Sequence, residues 1–165
     1  MKSSHSSLFL MELIISILFF SIAGAACIQL FVKAHVLGQK TREQNQAVIW
    51  SQNLSSLWLA CDDHATSQER ISFLYRQLTQ DYGRDDGSIQ TETAGDGVYL
   101  TLFFDKDWQL CTDRGIAYRI VFSDFGYDTD SRLLCAEISC IKEETPFYSL
   151  PLVHHPAAER GSLYE

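Results

Sequence analysis

The run from Leu8 to Val32, LFLMELIISILFFSIAGAACIQLFV, constrains this chain more than any other stretch, because its twenty-five residues hold one charged side chain, Glu12. As a helix rising 1.5 Å per residue it would be about 37 Å long, enough to cross a hydrocarbon core of about 30 Å with some tilt. An isolated carboxylate at the centre of a bilayer costs roughly 2.5–3.5 kcal/mol or more, so Glu12 needs a partner or a neutral form. One helical turn to either side holds Leu8, Phe9, Ile15 and Ser16, none of them a cation. The partner must come from outside this segment.

The polar leader MKSSHSS, the abrupt apolar start at Leu8 and a glutamate at the fifth apolar-segment position resemble the amino terminus of type IV prepilins and type II secretion pseudopilins. The matching residues are Ser7 before the cut, Leu8 after it, and Glu12. The resemblance implies that a prepilin peptidase removes residues 1–7 and methylates the new amine of Leu8. It also implies that Glu12 answers the amino-terminal charge of a neighbouring subunit during assembly, so that trimming creates the missing cation. Partners would be the peptidase, other pilin or pseudopilin subunits, and the membrane. The match covers about the first quarter of the chain; Ser7 stands where the family usually has Gly, Leu8 where Phe or Met is common, and Gln29 near a frequent Pro.

Other amino-terminal readings are an uncleaved signal anchor, a lipoprotein cut with Cys27 as acceptor, and an ordinary signal-peptidase site at Ala23-Gly24-Ala25. The last two require the apolar run to stop, yet it continues through Ile28, Leu30, Phe31 and Val32. Positive charges flank the run on both sides, Lys2 before it and Lys33, Lys40 and Arg42 after it. Their distribution does not favour a cytoplasmic amino terminus, so a cytoplasmic leader and an extracytoplasmic head are expected from the resemblance.

Beyond the apolar run, enough chain remains for one domain with one core. From Cys61 onward there are 9 Lys and Arg against 19 Asp and Glu, a net charge of −10. Such a surface repels phosphate backbones, and direct nucleic-acid binding is not expected. Of the five cysteines, Cys27 lies in the apolar run, while Cys61, Cys111, Cys135 and Cys140 belong to the head. Outside the cell they could pair in three ways, or remain buried thiols; the sequence leaves the choice open.

No proline interrupts residues 38–60, and Ala47, Trp50, Leu54, Leu57, Trp58 and Cys61 recur at helical spacing. The periodicity predicts one rod from Leu8 to about Ala60, roughly 80 Å long, with a candidate hinge at Gly38. Thr66-Ser67-Gln68-Glu69 reads as a capping box opening a second helix, with Ile71, Leu74 and Leu78 on one face, ending at Gly83. Residues 84–97 read as turns around a polar loop. Strands are expected at 98–104, 108–112, 116–122, 132–141 and 147–153, with short gaps that favour antiparallel neighbours. The expected fold class is α+β, a long amino-terminal helix covered by an antiparallel meander. The expected organisation is a leader at 1–7, a transmembrane and assembly helix at 8–37, a head at 38–153 containing the second half of the helix, and a tail at 154–165.

Candidate chemistry is sparse. The acidic stretch Ser123 to Asp130 is read as a loop between strands, where Asp124, Asp128 and Asp130 could offer oxygens to calcium. Its spacing is not that of an EF-hand and lacks the closing Glu, and Asp and Gly suit a solvated turn. No other cofactor is expected. Asp124-Phe125-Gly126 spells a kinase motif without the phosphate loop or catalytic loop that would give it meaning. Cys61-Asp62-Asp63-His64 could supply a thiol and a base, but adjacent residues rarely converge, and a helix break explains the polarity. No catalytic residue is assigned. The expected role is that of a minor pilin or pseudopilin subunit, single-pass in the cell membrane and then in a filament. The alternative is a signal-anchored extracytoplasmic sensor or ligand-binding domain that does not polymerise.

Overall fold

The computed structural model describes residues 4–83, 86–94, 97–112 and 115–156. The element order is α1 (Ser4–Leu59), α2 (Ser67–Tyr82), β1 (Ile89–Ala94), β2 (Gly97–Phe104), β3 (Tyr118–Asp128), β4 (Leu133–Lys142) and β5 (Thr145–His154). The fold is α+β: a long amino-terminal helix and one five-stranded antiparallel sheet in the order β1-β2-β3-β4-β5. The chain divides into two compact units, Met1–Glu43 and Gln44–Glu165. Gly38, the candidate hinge, lies inside α1, which continues through it. Of the expected leader, residues 1–3 fall outside the described residues, as do residues 157–165 of the expected tail.

In the first unit, residues 8–42 are exposed along their whole length. Leu8, Phe19, Phe20 and Phe31 are between 66% and 77% exposed, which identifies a surface unsuited to water. Among the described residues α1 is the one helix long and apolar enough to cross a membrane.

In the second unit the 44–59 part of α1 turns Ala47, Trp50, Leu54 and Trp58 into the core. Their three- and four-residue spacing makes one stripe, and the sheet alternates to meet it: β2 buries Val98, Leu100, Leu102 and Phe104 and half-exposes the residues between. Trp50 packs on Phe104 with ring centroids 4.8 Å apart, and Trp58 on Phe122 at 6.5 Å. Helix α2 adds Ile71, Leu74 and Leu78. It begins with the expected capping box, Thr66 accepting from the Glu69 N–H and Glu69 from the Thr66 N–H, and ends at Gly83 with φ +61°.

Three sequence expectations differ from the structure. Residues 108–112 form no strand but one bridge between Phe104 and Leu110. Asp105 Oδ1 accepts from the N–H groups of Asp107 and Gln109, tightening a turn that sends Trp108 onto Tyr118, with rings 4.4 Å apart and 15° from parallel. That ring burial takes the place of ladder pairing. Residues 89–94, read as polar loop, form β1, whose hydrogen bonds to β2 need no apolar side chains because five of its six residues are exposed. The acidic loop is also largely strand: β3 runs to Asp128, with a bulge between Asp124 and Gly126 that leaves Phe125 exposed. At the far border of the sheet, β5 carries Pro146 and Pro151.

Candidate functional site

Among the described residues two acids stand in unusual surroundings, and these are built differently. The first is Glu12, exposed on α1 among exposed apolar side chains, Leu8 and Leu13 among them. Ser7 lies within α1, one residue before Leu8.

The second is Asp124 on β3, whose side chain has no solvent exposure. Both carboxylate oxygens are met by two other elements, α1 and α2, and by the backbone of its own bulge. Arg70 of α2 donates from Nε to Oδ2 at 2.7 Å and from Nη2 to Oδ1 at 2.9 Å, a two-point clasp. The Trp58 indole N–H donates to Oδ2 at 3.2 Å, and Ser67 Oγ–H donates to Oδ1 at 3.0 Å. The Gly126 N–H reaches Oδ1 at 2.8 Å. Gly126 has φ +77°, and a Cβ there would stand 3.0 Å from Ser67 Oγ, so the backbone can close on the carboxylate only as glycine. Arg70 is 2% exposed and also donates to the Ala65 carbonyl. Burial acts to raise the Asp124 carboxyl, but the bonds and charge of Arg70, with Gly126 and Trp58, outweigh it and hold the group below the usual carboxylate range. The same hydrogen bonding raises Arg70 above its ordinary value.

Asp128 and Asp130 lie at the turn after β3. Asp128 accepts from the Asp130 N–H at 3.1 Å and from Ser131 Oγ–H at 2.5 Å, bonds that lower its carboxyl and close the turn. The structure therefore does not gather the three calcium candidates: Asp124 is occupied by Arg70, and Asp128 by its own turn. Among the described residues no three His, Cys, Asp or Glu side chains stand together as a metal site.

An open cavity of about 590 Å³ lies beside the ion pair, bordered by Asp63, His64, Ser67, Tyr127, Arg132 and His155 among others. Asp63 is held by His154 at 3.0 Å, and the His154 ring meets Trp58 edge-on. The cavity is lined by polar groups together with Tyr127 and Leu134. Cys61, in the thiol-and-base candidate, is pushed up to about 11, mainly by burial, away from the thiolate a nucleophile requires. Cys140, under Ser51 in the core, is likewise raised to about 11 by burial. Cys27, Cys61, Cys135 and Cys140 are free thiols.

Comparison with family models, curated proteins and solved structures gives no match. Geometry and sequence thus carry the functional reading by themselves. The clasp on Asp124 was not legible in the sequence, because Arg70 occupies an amphipathic helix where Arg is ordinarily solvated, and Asp124 sits in a turn-like run. A signal existed only in the pairing of Arg70 with a strand residue 54 positions away.

Proposed function

We propose that this chain is a minor pilin or pseudopilin subunit, cut after Ser7 by a prepilin peptidase, held in the membrane by α1 and then drawn into a filament. The observation that carries the reading is Glu12, a solitary acid on the exposed apolar part of a helix whose later residues, 44–59, supply the core of an α+β head. The long apolar helix and antiparallel sheet are compatible with a pilin-like fold. In this scheme the methylated amine of Leu8 on one subunit meets Glu12 on the next and sets register. Moving the apolar helix from lipid to a filament core exchanges one apolar environment for another. The acidic head faces outward, and the subunit acts by assembly and recognition instead of catalysis.

Mass spectrometry of protein purified from its native host tests this directly. The expected amino terminus is a methylated Leu8; a mature chain that retains Met1 ends the filament reading. The cavity beside Arg70 favours one second reading, a membrane-tethered extracytoplasmic domain that binds a ligand without polymerising. That reading expects the retained Met1 and a head that stays monomeric.

A further inference from the structure

The apolar run of α1 gives way to Lys33, His35, Lys40 and Arg42, and no acid lies between Glu12 and Glu43. All four side chains are exposed, and among the described residues none of Lys33, Lys40 or Arg42 is held in an ion pair. At 3.6 residues per turn Lys33 and Lys40 stand one above the other, while His35 and Arg42 lie on the opposite side. Lys33 and Lys40 therefore face one way and Arg42 the other, and the cations present no single charged face. They start at the residue after Val32 and extend about 13 Å along the axis. In a helix that crosses a bilayer, Lys33 and His35 fall at the level of the lipid headgroups and Lys40 and Arg42 just outside it, from where long basic side chains can reach back toward phosphates.

We propose that residues 33–42 form a collar that binds anionic phospholipid headgroups, so that the membrane-held chain gathers acidic lipid around itself. The inference rests on the membrane-spanning part of the reading above, not on trimming or polymerisation. A different occupant would be the acidic head of a second copy. Two observations favour lipid: the collar joins the apolar run without a gap, and its cations point to opposite sides, which a surrounding ring of lipid can meet and one protein surface cannot.

The test uses the full chain in phosphatidylcholine vesicles with spin-labelled phosphatidylglycerol or spin-labelled phosphatidylcholine as probe, reading the lipid immobilised at the protein. Each basic residue at a membrane surface is worth up to about fivefold in association with acidic lipid. A severalfold preference for phosphatidylglycerol is expected, falling as salt is raised. The triple variant Lys33→Gln, Lys40→Gln, Arg42→Gln should lose it, and Lys33→Arg with Lys40→Arg should keep it. Lys33, Lys40 and Arg42 are exposed, and an unchanged circular dichroism spectrum verifies that each variant folds. Equal immobilisation of the two lipids by the unaltered chain overturns the proposal, as does a preference that survives in the triple variant. Loss of self-association in the triple variant with lipid preference intact also overturns it and assigns the collar to a second copy's head. A retained Met1 leaves these readouts untouched, so the two proposals fail separately.

Discussion

Glu12 and Asp124 are two acids in contrasting surroundings: Asp124 is buried against a full opposite charge, whereas Glu12 stands exposed among exposed apolar side chains. Asp124 is enclosed by five donors from α1, α2 and its own bulge, with Arg70 supplying a full opposite charge. Glu12 lies on a helix that offers it no cation within a turn. A domain can match a buried charge by folding back on itself, whereas a single helix in an apolar medium cannot. On the membrane-held reading proposed above, the requirement passes to another molecule, and Glu12 calls for a partner.

The comparison can be broken most forcefully at Asp124. Asp124→Ala strands the Arg70 guanidinium in the core and should cost roughly 3–5 kcal/mol, measured as a lower urea midpoint of the head in detergent-solubilised protein. An undiminished midpoint would mean that the clasp is incidental. Acid attacks the same pair more gently. Because the folded Asp124 carboxyl lies below its unfolded value of about 3.9, its contribution is complete above that value and is lost as pH falls through the lower folded one. Thermal unfolding of the wild type should show that loss below about pH 4, and Asp124→Asn should show less of it. Thr66→Ala removes the α2 cap and should cost about 1 kcal/mol, read as a smaller drop in the urea midpoint. Glu12→Ala should have the smallest effect on the head, leaving its urea midpoint unchanged, while, on the filament reading proposed above, co-purification with partner subunits falls sharply. Normal co-assembly of that variant would remove the asymmetry between the two acids.

The parts of the fold legible in the sequence are those where one physical rule acts alone. Ala47, Trp50, Leu54 and Trp58 announce a stripe because helical periodicity alone places them, and the α2 box is local hydrogen bonding written in four residues. The hidden parts are those where distant partners decide. Gln90 to Ala94 look like loop because an edge strand covered by water needs no apolar alternation, and its existence depends on β2. Trp108 reads as a strand residue, but the stack on Tyr118 and the Asp105 turn hold it at φ +60°, a conformation no strand uses. Asp124 was visible as a candidate metal ligand, yet its environment is set by Arg70, Trp58 and Ser67, each far away along the chain. The surroundings of Glu12, by contrast, are the uniform apolar run itself, which the sequence spells out residue by residue.

The prolines of β5 have a consequence for crowding. Pro146 and Pro151 lie on a border strand, and Pro151 sits opposite Glu137 in the ladder with β4. A ring nitrogen cannot donate, so an approaching extended chain finds gaps in the row of backbone donors it would need to zip onto that margin. Domains bordered in this way can be crowded side by side and still separate again, because that margin resists annealing into a continuous sheet.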